Sequence, residues 1–320
     1  METVSGANNW KLVIRREAEG VTILRAETCD GTAALPEELF GLPVTALGHH
    51  ALAANRAAPP GEEVLVTCGL PGAGWDNGHL RELQLPASLR RVGDYAFLNC
   101  GRLKTLSFTE NIAFWGGGCF MNCRELDTFH IRGEGEGLAY IADELSRELD
   151  VTLRLSGGRT ARLIFPEYIE LYEENCPAHH FDYSIYGAGY PYHHCFRQKR
   201  LQLADYDGLW PDFLAMEHSE SAAGRMAFFR LRYPADLGEE QAAAYRAYLS
   251  AHAREVLCGL VKAGSGADVA FFLREGTPGG EALEAACALA RELGRSEALA
   301  LLLEEQHRRF PPGRRKAFDL

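Results

Sequence analysis

Between residues 80 and 132 the apolar side chains return to the same places every 23 residues. LRELQLPASLRRVGDYAFLNCGR (80–102) is followed without a gap by LKTLSFTENIAFWGGGCFMNCRE (103–125), and a third copy opens with LDTFHIRG at 126. Leu80, Leu103 and Leu126 correspond, as do Leu83, Leu106 and Phe129, then Leu85, Phe108 and Ile131. Further along, Gly93 matches Gly116, Phe97 matches Phe120, and the Asn-Cys pair at 99–100 matches that at 122–123. One such copy cannot bury its apolar side alone, so the pattern predicts stacked units, each with a short strand and a return segment, sharing one core. Alternation along a strand then points Glu82 and Gln84, Thr105 and Ser107, and Thr128 and His130 away from that core.

The pattern loosens on either side. LPVTALGHHALAAN (42–55) reads as a divergent copy, with Gly48 in the place of Gly93, Leu52 in that of Phe97, and His49 and His50 in those of Asp94 and Tyr95. WKLVIRREAEGVTILRAE has two alternating runs about EAEG and predicts a hairpin capping the open end of the stack. The Pro- and Gly-rich insertion RAAPPGEEVLVTCGLPGAGWDNGH reads as a projecting loop. Beyond 133, LAYIADELSREL has helical spacing and VTLRLSGGRTARLIF predicts a hairpin about Ser-Gly-Gly. PEYIELYEENC predicts a helix with Pro166 in its first turn. YGAGYPYHHCF alternates aromatic and small residues and predicts a strand with Tyr190, Tyr192 and His194 on one face and Pro191, His193 and Cys195 on the other. After Pro211 the chain is alanine-rich with helical spacing. AGSGADVAFFLREG and LGRSEALALLLEEQ superpose at an offset of 30, placing Gly264 on Gly294, Val269 on Leu299, Phe271 on Leu301 and Leu273 on Leu303.

LPASLRRVGDYAFLNCGRLKTL and GVTILRAETCDGTAALPEELFGLPVTALG resemble the BspA-like subclass of leucine-rich repeats, whose units combine a proline after the strand with a G-x-x-A-F-x-x-C ending. The third copy departs from it after HIRGEGEG, and Trp115 replaces the small apolar Val92. The resemblance covers residues 20–132; it implies binding to proteins or host material, commonly at cell surfaces, rather than catalysis. The pair of units near the C-terminus resembles ankyrin-type helical hairpins without their T-P-L-H turn. The expected class is α+β: a short leucine-rich-repeat solenoid with its hairpin cap (1–133), a mixed α/β connector (134–210) and an all-α helical-hairpin domain (211–320).

With 44 acidic against 33 basic side chains the net charge is −11, which repels a phosphate backbone and argues against nucleic acid as partner. No signal peptide and no run of 18 apolar residues is visible, so the expectation is a cytoplasmic chain without a membrane partner. Nine scattered cysteines suit a reducing compartment, and Cys100 and Cys123 read as a buried ladder.

There is no G-x-S-x-G, P-loop, H-E-x-x-H or G-x-G-x-x-G motif, so neither an enzyme nor a cofactor is expected. The one chemical-looking stretch is CPAHHFDYSIYGAGYPYHHC (176–195). Cys176 and His179, with His194 (or His193) and Cys195, supply four donors for zinc, but adjacent residues of a strand point apart and His194 and Cys195 then share no ion. A cysteine nucleophile at Cys195 beside His180 and Asp182 is the other enzymatic alternative. The favoured reading is a non-enzymatic scaffold that holds a protein partner on the strand face formed by Glu82, Gln84, Thr105, Ser107, Thr128 and His130.

Overall fold

In the computed structural model, residues 2–69, 74–175 and 180–310 are described, and the chain divides into two compact units, Met1–Gln202 and Leu203–Leu320. The first is rich in sheet and the second is helical. The first contains β1 (Glu2–Ser5), β2 (Trp10–Glu17), β3 (Gly20–Thr28), β4 (Thr32–Ala34), β5 (Glu38–Leu39), β6 (Leu42–Leu47) and β7 (Glu62–Thr67). These are followed by β8 (Glu82–Gln84), β9 (Arg91–Val92), β10 (Thr105–Thr109), β11 (Phe114–Trp115) and β12 (Thr128–Arg132). Helix α1 (Glu136–Glu144) then leads to β13 (Leu149–Arg154), β14 (Thr160–Phe165), β15 (Ile169–Asn175), β16 (His180–Tyr186), α2 (Tyr190–His193), β17 (Phe196–Arg197) and β18 (Arg200–Leu201).

The strands that open each copy form one six-stranded sheet in the order β14-β13-β12-β10-β8-β4, parallel except for β13 with β14. Its register runs Ala33–Leu83–Leu106–Phe129–Val151, a line of buried side chains, one from each strand. Strand β4 is therefore the opening strand of the divergent copy, since β4 pairs with β8 as its return strand β6 pairs with β9, and β13 and β14 extend the same sheet beyond residue 133.

The return segments stack in a second sheet, order β1-β7-β2-β3-β6-β9-β11. Leu47 pairs with Val92, so Gly48 and Gly93 are equivalent, as their spacing predicts. A Cβ on Gly93 would fall 2.6 Å from the Gly48 carbonyl carbon, and one on Gly116 would fall 2.5 Å from that of Gly93. Both lie under the 3.0 Å that real Cβ atoms respect, so the rungs stack this closely only where glycine repeats. Below them the thiols of Cys100 and Cys123 donate to the carbonyls of Leu52 (3.2 Å) and Phe97 (3.1 Å), each one repeat back.

The hairpin β2–β3 forms, and β3 joins β6 in parallel. The insertion differs from the predicted loop: β7 pairs with β2 and β1, and buried Asn77 donates to the carbonyls of Ala26 (2.7 Å) and Leu52 (2.8 Å) and accepts from Thr28 N (3.2 Å). Its alternating Val64 and Val66 find the free edge of β2, which outweighs the flanking prolines and glycines. The helix predicted at 166–176 is corrected too: β15 pairs antiparallel with β16, Tyr172 opposite Tyr183 with ring centroids 4.7 Å apart. Cross-strand partners override a weak helical preference.

The second unit comprises α3 (Leu203–Gly208), α4 (Trp210–Ala215), α5 (Glu220–Arg232), α6 (Glu239–Ala251), α7 (Ala253–Ala263), α8 (Gly266–Glu275), α9 (Gly280–Glu292) and α10 (Ser296–Arg309). At its centre Arg230 donates to both carboxylate oxygens of Asp207 (2.8 and 2.7 Å), and Tyr245 donates to the same carboxylate at 2.9 Å. Along the 30-residue offset, α7 lies against α9 and α8 against α10, and Gly264 and Gly294 both adopt positive φ at the turns.

Candidate functional site

Register places all six predicted strand-face residues on one surface. Glu82, Thr105 and Thr128 form one row and Gln84, Ser107 and His130 the next. Thr32 and Ala34 prolong these rows on one side, Asp150 and Thr152 on the other. The six are exposed or half-buried, while the alternate positions Leu83, Leu106 and Phe129 are at most 1% exposed. Two shallow hollows lie along this face, about 300 Å³ beside Asn8, Glu82 and Thr105 and about 210 Å³ beside Gln84, His130 and Arg154.

Charge is unevenly placed across it. A third row holds Thr109, Arg132 and Arg154, so two guanidinium-bearing residues sit on neighbouring strands. Neither makes an ion pair among the described residues, whereas nearby Arg162 is held by both oxygens of Asp150 at 2.9 and 2.8 Å. Partial desolvation, with Arg162 and Arg154 adding to it and Asp150 and Glu82 opposing, keeps the His130 imidazole below its usual pKa. At neutral pH it presents an uncharged ring beside two cations.

The His- and Cys-rich stretch is built differently from the predicted strand. Pro191 falls in the first turn of α2, where its missing N–H costs nothing. A Cβ at Gly189 would fall 1.9 Å from the Pro166 carbonyl oxygen, so glycine is what lets the two segments touch. The helix buries Tyr192 and His193 and brings Tyr190 and His194 together, one turn apart, with rings stacked at 3.9 Å. The two-faced strand arrangement is thereby corrected. His193 is 2% exposed, packed edge-on to Phe165 and Tyr168, with ring nitrogens 3.0 Å from Ala142 O and 2.9 Å from Pro166 O. Burial holds its pKa below the usual value, against the upward pull of those two carbonyls.

Of the four proposed zinc donors, Cys176 and His179 lie outside the described residues. His194 is exposed, with Nδ1 2.8 Å from Tyr190 O, whereas the buried Cys195 thiol donates to Tyr192 O at 2.9 Å. No group of three or more His, Cys, Asp or Glu side chains is placed to hold a metal ion among the described residues. His180 and Asp182, the other residues of the cysteine-nucleophile alternative, lie on β16.

One cleft went unpredicted. About 760 Å³ in volume, it lies beside β11 and α1 and is lined by Arg90, Glu110, Phe114, Trp115, Tyr140 and Lys199 among others. Trp115 stacks on Tyr140 at 5.4 Å, and the Tyr140 hydroxyl donates to Gly116 O at 2.6 Å. Glu110 accepts from Gly137 N at 3.1 Å, and its partial burial raises its pKa. The signal was Trp115 itself, the aromatic break in the repeat just before the copy that loses its ending.

Residues 75–144 match the family described as BspA type Leucine rich repeat region (6 copies). That segment includes β8 to β12 and α1. No match is found among curated proteins. Among solved structures, the crystal structure of a T. pallidum leucine-rich repeat protein is 16% identical, covering 38% of this chain and 72% of that one, with a TM-score of 0.23. No described helix is long and apolar enough to cross a membrane.

Proposed function

We propose that this protein is a non-enzymatic scaffold that binds another protein on the concave strand face of its leucine-rich-repeat solenoid. The observation that carries this reading is the pair of in-register rows, Glu82–Thr105–Thr128 and Gln84–Ser107–His130, presented by parallel strands one repeat apart. Rows spaced by the strand separation of about 4.8 Å match the length scale of an extended or helical partner segment. Arg132 and Arg154 at one margin favour an acidic segment there, although the chain as a whole carries a net charge of −11. In this reading 1–133 is the recognition domain, 134–210 the connector and 211–320 an array of ankyrin-like helical hairpins.

The experiment is affinity capture from an extract with the full chain and with Glu82→Lys, Thr105→Glu and His130→Ala variants. Proteins bound by the parent are expected to fall about tenfold in recovery with these variants, the scale of a lost interfacial contact. Arg132→Glu with Arg154→Glu removes the same proteins. Unchanged recovery by variants whose circular dichroism matches the parent overturns the assignment.

A further inference from the structure

Strands β15 and β16 form a two-stranded sheet of their own, hydrogen-bonded to no other strand among the described residues. Both of its faces expose large apolar side chains to solvent beside the strands' carboxylates. Tyr172 (71% exposed), Tyr183 (47%) and Ile185 (38%) share one face, and Ile169 (57%), Leu171 (42%) and Tyr186 (55%) share the other. A sheet that ends a protein ordinarily keeps one face wet and polar, and an isolated two-stranded ribbon is marginal in water. Apolar side chains exposed on both faces, with neither edge paired to a further strand among the described residues, mark a ribbon that is completed by association.

The two edges are not equivalent. Strand β15 carries Glu170 and Glu173, while β16 carries one carboxylate, Asp182. Glu170 is further held across the ribbon, accepting from the Tyr183 hydroxyl at 2.8 Å. Charged side chains are the usual protection of an exposed strand edge, so β15 is guarded and β16 is open.

We infer that β16 pairs antiparallel with β16 of a second copy of this chain, giving a four-stranded sheet β15-β16-β16-β15 about a two-fold axis at Ser184. In that register Tyr183 faces the partner copy's Ile185, apolar against apolar, and Asp182 faces its Tyr186, so no carboxylate meets another. The two-fold repeats each favourable pair, as an isologous interface requires. Two chains of net charge −11 repel, and a contact between them succeeds best on a strand poor in acid. β16 meets that condition and β15 does not. A segment of another protein adding to the same edge gives no two-fold dimer, so the test separates the two occupants.

The full chain is to be followed by sedimentation velocity from about 1 to 100 µM, a range suited to a small interface. The parent is expected to move from monomer toward dimer over that range. Ser184→Lys places two ammonium groups opposite each other across the axis, and Ser184→Glu two carboxylates; each variant alone is expected to stay monomeric. Mixing the two in equal amounts restores the dimer, which a misfolded ribbon cannot do. A parent that stays monomeric at the highest concentration, variants that dimerise alone, or a mixture that stays monomeric overturns the inference.

Discussion

His193 is an imidazole enclosed between two carbonyl oxygens and two aromatic edges, and a neutral ring donates to only one of those carbonyls. Burial, the larger influence, depresses its pKa below the ordinary value of 6.5. Because the folded site resists a proton that the unfolded chain accepts, its contribution to stability is complete above pH 6.5 and is lost as the pH falls below it. The urea midpoint of the first unit is expected to drop between pH 7.5 and 5.5, and His193→Leu, though less stable throughout, to show a smaller drop. An equal pH dependence in the two proteins would rule this out. Asn77 and the ladder cysteines follow the same rule that buried polar groups are satisfied. Burial lifts the Cys123 thiol to about 12 and that of Cys119 to about 11, which makes them packing elements rather than nucleophiles. The Cys100–Cys123 ladder was readable from spacing, but the carbonyls around His193 were not, because Ala142 and Pro166 reach it only through the fold.

Among the elements, the return-segment sheet is held at its close spacing by the glycine row. Gly93→Ala would press a methyl carbon onto the backbone of Gly48, 2.6 Å away, whereas Gly117→Ala points into open space. The first is expected to cost about 2 kcal/mol or more, as overpacking does, and the second less than about 0.5 kcal/mol. Chemical denaturation of the two variants measures both; equal losses would show that the rungs can spread. The elements read correctly from sequence are those whose signal is internal: the repeat strands, the β2–β3 hairpin, α1 and the β13–β14 hairpin. Those read wrongly depended on distant partners. β7 needed the edge of β2, β15 needed β16, and α2 needed the glycine contact with Pro166.

At the scale of the molecule each unit has its own centre. In the helical unit this is the Asp207–Arg230–Tyr245 cluster, which ties α3, α5 and α6 together with side chains at most 2% exposed. Removing one member leaves a charge buried without its counterpart, so Arg230→Met is expected to cost about 3 to 5 kcal/mol. Adding Asp207→Leu to that variant is expected to recover part of the loss. Hydrogen exchange over 203–310 reports both, and a single variant as protected as the parent would contradict the central role of the pair. Arg230 carried no signal in the sequence, since a lone arginine in a helix reads as solvated until the fold encloses it.

The sequence by itself determined what repeats: the 23-residue period, the outward alternation of Glu82, Gln84, Thr105, Ser107, Thr128 and His130, the equivalence of Gly48 with Gly93, and a helical C-terminal region. Those follow from local periodicity, which one chain segment specifies without reference to any other. The tertiary structure alone decided where non-repeating segments go, because their hydrogen bonds are completed by partners far away in sequence. It turned an expected loop into β7 and an expected helix into β15, folded His193 into a buried corner, placed Arg132 beside Arg154, and left β16 paired only with β15 among the described residues.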